Sequence, residues 1–167
     1  MFMLLPKLFE RAGTASTGSI TGIYTVFVEA DDFNEPISDT ARSLLDGHIM
    51  LSRKLASQSH YPAIDLLDSV SRLMDDIVPE EQLALAHIAR DVLATYREAQ
   101  DLINIGAYVK GSNPKIDYAH SKIEAVNIFL KQKMNENASF EESVAAFRRV
   151  FGDRLPRQSE AVAEIKA

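Results

Sequence analysis

With 167 residues, 46% of them hydrophobic, the chain can bury one full core, or part of one domain plus a small second one. A formal charge of -6 and a sequence pI near 5.2 argue against a free-standing nucleic-acid binder, because neutralising phosphates needs a net basic face. No cysteine is present, which excludes a disulfide framework and a thiolate metal site and fits a cytoplasmic protein.

The chain opens on Met1-Phe2-Met3-Leu4-Leu5, interrupted by Pro6 and preceded by no basic region, so it reads as neither signal peptide nor membrane span. Phe2, Leu5, Leu8 and Phe9 repeat at helical spacing from the first residue with no cap before them, the pattern expected of a chain cut from a longer parent. Gly13 suits the left-handed position after that helix. Gly13-x4-Gly18 has the outline of a phosphate-binding loop but fails its test. Ser19 stands where the phosphate-reaching Lys belongs, Ile20 replaces the magnesium-binding hydroxyl, and strand-forming residues follow where a helix should. A connecting loop is predicted instead.

Residues 20–30 are β-branched and aromatic on both alternating faces, which predicts a central strand covered on both sides. Asp31-Asp32-Phe33-Asn34-Glu35-Pro36 then makes an acidic turn. Ser38 is placed to cap a short helix whose Ala41, Leu44 and Leu45 share a face, with Gly47 ending it. His48 to Ser52 reads as a second strand and Arg53 to Ser57 as a helical turn, so the first 75 residues alternate strand, helix and strand.

The pattern changes at Pro79. Leu85, Ile88, Val92, Tyr96, Ala99 and Ile103 repeat at three and four residues, with Pro79-Glu80-Glu81 at the start and Gly106 at the end. A second helix opens at Asn113-Pro114 and carries Ile116, Ala119, Ile123, Val126, Leu130 and Met134. A third opens at Ser139-Phe140-Glu141-Glu142, which has capping-box spacing, and carries Phe140, Val144, Phe147 and Phe151 up to Gly152. Three amphipathic helices on short loops predict a bundle. The fold expected is therefore α/β followed by all-α: residues 1–78 in the first part, 79–152 in the bundle, and 153–167 as a weakly patterned tail.

Gly18-Ser19-Ile20-Thr21, Glu29-Ala30-Asp31-Asp32, Asn34-Glu35-Pro36-Ile37, Leu45-Asp46-Gly47-His48-Ile49 and Tyr61-Pro62-Ala63-Ile64-Asp65 together resemble the later part of the catalytic core of the rotary ATPase superfamily. The wording of Asn34-Glu35-Pro36-Ile37 and Asp46-Gly47-His48-Ile49 resembles the flagellar and type III protein-export branch. Ile103-Asn104-Ile105-Gly106-Ala107-Tyr108-Val109-Lys110-Gly111-Ser112-Asn113-Pro114 resembles the flagellar form in particular. The similarity runs over about residues 2 to 152. It implies a C-terminal fragment: the last strands of a RecA-like P-loop NTPase core and a helical C-terminal domain. The family's P-loop, catalytic glutamate and Walker B aspartate lie upstream of what corresponds to Met1. The resemblance further implies a hexameric ring that hydrolyses ATP with magnesium in the full-length protein. This fragment alone is expected to be inactive.

Site residues follow from the same resemblance. Arg72, in Ser69-Val70-Ser71-Arg72, matches the arginine finger that reaches the γ-phosphate held by a neighbouring subunit; spacing alone would make it a surface loop residue. Tyr61 matches the aromatic that stacks on adenine; otherwise it is a packed loop tyrosine. Asp31, Asp32, Asn34 and Glu35 match the loop that faces the central stalk; otherwise they form a solvated or helix-capping turn. Regulator and export chaperones are further implied partners, in the cytoplasm at the inner face of the membrane, peripheral to the export gate. His48, His60, His87 and His120 have no metal-ligand spacing and read as fold or interface residues. Lys131, Lys133, Arg148 and Arg149 read as a solvated basic face open to partner docking. Two other machines stay open, a virulence secretion ATPase and an ATP synthase catalytic subunit, as does a non-catalytic helical module that binds partners.

Overall fold

The computed structural model describes residues 4–28, 32 and 35–155, and the chain divides into two compact units, one ending at His48 and one beginning at Ile49. Asp31, Asn34 and the tail from residue 156 onward lie outside the described residues.

In the first unit, α1 (Leu4–Phe9) is followed by a hairpin of β1 (Gly13–Thr14) and β2 (Ser19–Ile20), antiparallel with Gly13 opposite Ile20. The turn between them is closed by the Ala15 N–H, which donates to the Gly18 carbonyl at 3.0 Å. Tyr24 folds back so that its ring meets Phe9 edge to face at 4.7 Å. Gly22 makes room for this: a Cβ there would lie 2.7 Å from the Tyr24 ring and 2.9 Å from Ala12 Cβ.

Over residues 21–28 the strand predicted for 20–30 does not form, and residues 29 and 30 lie outside the described residues. β2 ends at Ile20, residues 21–28 are irregular, and Ile23 and Phe27 are more than nine-tenths exposed. A strand apolar on both faces is stable only between hydrogen-bonded neighbours and under covering helices. Among the described residues nothing pairs with it. The next helix also starts earlier than predicted. α2 (Pro36–Leu44) takes Glu35 as N-cap and Pro36 at its first position, while Ser38 lies inside it, buried, and makes no cap. Proline's fixed φ is pre-set for the first turn, so it places the boundary ahead of the serine. Leu45, not Gly47, ends the helix.

β3 (Gly47–Leu51), which begins two residues before the boundary, pairs with β4 (Ile64–Ser71), and α3 (Arg53–Ser57) lies between them in the chain. Ser52 caps α3 by accepting the Leu55 N–H at 3.4 Å. A single turn, α4 (Met74–Ile77), leads to α5 (Glu80–Asn104).

The bundle is α5, α6 (Pro114–Leu130) and α7 (Phe140–Phe151), as the periodicity predicts. Each end has an identifiable stop or start. Gly106, at φ +70°, closes α5 in a Schellman turn in which the Ala107 N–H donates to Leu102 O at 2.9 Å and the Gly106 N–H to Ile103 O at 3.1 Å. Asn113 accepts the Lys115 N–H at 3.0 Å to start α6. Ser139 and Glu142 complete the capping box at 3.1 and 2.8 Å. Leu85, Ala89 and Val92 of α5, Ala119 and Val126 of α6, and Phe151 of α7 form the buried core. The alanines let the α5 and α6 backbones approach closely, and Phe151, wholly buried, fills the space beneath α7.

Two residues predicted on the apolar stripe are not part of it. Phe140 is exposed at the start of α7, and Met134 is fully exposed beyond the end of α6. The helix stops at Leu130 because the chain turns to donate its Gln132 N–H to the Tyr61 carbonyl at 2.9 Å.

Candidate functional site

β4 carries the candidate residues at its two ends. Tyr61 lies three residues before it, its ring 57% exposed and its backbone carbonyl fixed by Gln132. Arg72 follows the strand directly and is exposed. Pro62, Ala63 and the eight residues of β4 stand between the two in the chain.

Between α3, β4, α5 and α6 lies a cleft of about 310 Å³, lined by His60, Asp65, Arg97, Asn127 and Lys131 among others. Neither Tyr61 nor Arg72 lines it. Its floor is an ion pair: Arg97 donates from Nη2 to both oxygens of the buried Asp65, at 2.9 and 2.8 Å. His60 is buried with its Nε2 unbonded, and burial, reinforced by the Lys131 charge, lowers its pKa below the ordinary value.

Of the acidic turn, Asp32 is exposed and its carbonyl accepts the Glu35 N–H at 3.1 Å. Glu35 stands at the N-cap of α2, yet its carboxylate makes no capping hydrogen bond to that helix. Of the basic residues, Arg148 pairs with Glu81 at 2.7 Å, both exposed, and Arg149 donates to Ala145 O.

Among the described residues, no group of three or more His, Asp and Glu could hold a metal ion. The loop between Gly13 and Gly18 is closed on itself by the Ala15 bond. Tyr61 and Arg72 present an exposed aromatic residue and an exposed cation.

Sequence reasoning missed Arg90. On α5 it donates to the carbonyls of Leu66, Leu67 and Ser69 in β4. Arg90 and Arg97 are seven residues apart, two helical turns, and so share a face beside the Leu85, Ala89 and Val92 stripe. Two guanidinium groups bordering an apolar stripe were the available signal.

Residues 1–71 match the model of the ATP synthase alpha/beta family, nucleotide-binding domain, and residues 78–149 that of the type III secretion EscN ATPase C-terminal domain. The flagellum-specific ATP synthase of Bacillus subtilis is 46% identical over 92% of this chain and 35% of its own length. The type 3 secretion system ATPase of Sinorhizobium fredii is 47% identical over 90% and 33%. Among solved structures, the assembled ATPase EscN of enteropathogenic E. coli, in complex with its central stalk EscO, superposes with a TM-score of 0.81 at 41% identity. That match covers 90% of this chain and 35% of EscN. The chain thus spans about a third of the length of the curated relatives it matches.

Proposed function

The chain belongs to the type III export ATPases of the ATP synthase alpha/beta family, and from that premise we propose that it is the C-terminal part of a subunit that hydrolyses ATP in a hexameric ring to energise flagellar protein export. Residues 1–78 close the RecA-like domain, 79–152 form the helical domain, and the remainder is a tail. The observation that carries this reading is the placement of Arg72, exposed, directly after β4, the strand whose other end follows Tyr61. Tyr61 then stacks on the adenine of its own subunit's nucleotide, while Arg72 reaches the γ-phosphate bound by the next. Magnesium and the phosphate cradle come from the remainder of the complete subunit.

A guanidinium that acts in trans requires a neighbour. Turnover per complete subunit should therefore rise steeply with protein concentration as rings assemble. ATP turnover measured alongside sedimentation decides this: full specific activity in a monomeric sample would sink the proposal. Tyr61→Ala should raise KM for ATP and GTP alike by several-fold, the loss of about 1 kcal/mol of stacking, with kcat nearly kept. Tyr61→Phe should leave KM as it is. A Tyr61→Ala enzyme with unchanged KM would return the residue to loop packing.

The turn of Asp31, Asp32, Asn34 and Glu35 is proposed to face the stalk. Two observations support this: Asp32 is exposed and the Glu35 carboxylate is not used on α2, and EscN has been solved with its stalk in place. Regulator and export chaperones would be the other partners. Among the described residues no helix is long and apolar enough to cross a membrane. We place the complete protein in the cytoplasm, peripheral at the inner face of the membrane. Near-equal identity to flagellum-specific and type 3 secretion relatives favours a second reading of the same chemistry on a secretion machine. Genes for rod, hook and basal body beside this one would decide for the flagellum, and needle-complex genes for secretion.

A further inference from the structure

The middle of β4 departs from a flat ladder. Asp65 turns its Oδ1 forward along the chain to accept the N–H groups of Leu67 at 3.0 Å and Asp68 at 3.3 Å. Ser69 Oγ donates to the Asp65 carbonyl at 2.6 Å and accepts the Met50 N–H at 3.0 Å. Consecutive carbonyls point opposite ways in a regular strand. Here those of Leu66 and Leu67 reach one guanidinium: Arg90 donates from Nη1 to Leu66 O at 2.9 Å and Ser69 O at 3.0 Å, and from Nη2 to Leu67 O at 2.9 Å. Two turns further along α5, Arg97 holds the carboxylate that shapes the kink. Arg72 lies three residues beyond Ser69, the last carbonyl in this grip.

We infer that Arg90 is a positioning residue for Arg72: by gathering the three carbonyls it fixes the direction in which β4 delivers the Arg72 guanidinium to the neighbouring subunit. The inference rests on Arg72 acting in trans. Local distortions of a strand re-aim the side chains that follow them. A reacting group displaced by about 1 Å can cost roughly a hundredfold in rate. Because α5 is also the first helix of the bundle core, the bundle and Arg72 are held by one rigid element. The planar fork meets the three acceptors from two separate nitrogens. A lysine has one nitrogen to offer three convergent acceptors.

The test uses the complete subunit with Arg90→Gln, Arg90→Lys and Arg72→Ala. The readouts are kcat, affinity for a non-hydrolysable ATP analogue, thermal midpoint, and trapping of ADP with aluminium fluoride, which mimics the phosphoryl group in flight. Arg90→Gln and Arg90→Lys should each lower kcat and the rate of trapping by about tenfold to a hundredfold, with analogue affinity as in wild type and only a modest fall in thermal midpoint from the lost hydrogen bonds. Full turnover and trapping in a folded Arg90 variant, while Arg72→Ala abolishes both, would overturn the positioning role and leave the Arg72 reading standing. Parallel loss of analogue affinity and thermal midpoint in both Arg90 variants would assign a merely structural role and overturn it too. Undiminished turnover in Arg72→Ala would remove the premise itself. Should Arg90→Gln fail to fold, Arg90→Lys carries the same measurements.

Discussion

Arg72→Ala in the complete subunit is expected to lower ATP turnover by on the order of 10³ to 10⁵, while the affinity for a non-hydrolysable nucleotide changes by no more than a few-fold. The asymmetry follows from where the charge appears. In phosphoryl transfer, negative charge spreads over the equatorial oxygens only as the bond to the leaving group loosens, so a donor aimed there stabilises the transition state and adds little to ground-state binding. Arg72 stands one residue past β4 and is exposed, a position from which a side chain can serve a partner's pocket. Arg72→Lys should recover little of the loss, because a point charge on a flexible stem does not present two parallel N–H donors. Mixing the Arg72→Ala subunit with one whose phosphate-binding loop is inactivated should restore part of the turnover, since an intact loop and an intact Arg72 then meet at some subunit boundaries. No recovery in such mixed rings would place Arg72 in its own subunit's site. Turnover near the wild-type level would remove it from the chemistry altogether.

What could be read from the residues alone divides along a physical line. Helix ends are set by chemistry a few residues wide, so Asn113-Pro114, Ser139-x-x-Glu142 and Gly106 mark their boundaries as predicted. Strands depend on neighbours far away in the chain. Residues 21–28 have the composition of a covered strand and remain irregular, because composition does not supply a partner. β4 was not singled out for the opposite reason. Its Asp65, Asp68 and Ser69 break the alternation that marks a strand, and the contact that makes the irregular path stable comes from Arg90 on another element. Met134 shows the same limit, since the spacing extends the stripe to it while a tertiary bond from Gln132 to Tyr61 ends the helix before it. Tyr61 and Arg72 were legible only through resemblance. An exposed aromatic and an exposed cation in loops have no periodicity to betray them.

Phe151→Ala should destabilise the helical bundle by about 3–5 kcal/mol, the range for truncating a buried aromatic ring. Phe151 is the largest of the wholly buried side chains, in one cluster with Leu85, Val92 and Val126. Its ring also meets Phe147 edge to face at 5.2 Å, and Phe147 in turn stacks on Phe129 of α6 at 5.2 Å. Removing it therefore opens a cavity beneath three helices and strips Phe147 of one partner. Domains of this size have only about 5–15 kcal/mol in total, so the variant should retain a small part of its stability or lose its fold. Phe140→Ala is the matched control: the same atoms are removed from the same helix, but Phe140 is 67% exposed. Its cost should stay within about 0.5 kcal/mol. Urea denaturation followed by circular dichroism at 222 nm, about the usual wavelength for helix, measures both changes. Similar midpoints for the two variants, or a loss below about 1 kcal/mol for Phe151→Ala, would mean that the bundle is not organised around this ring.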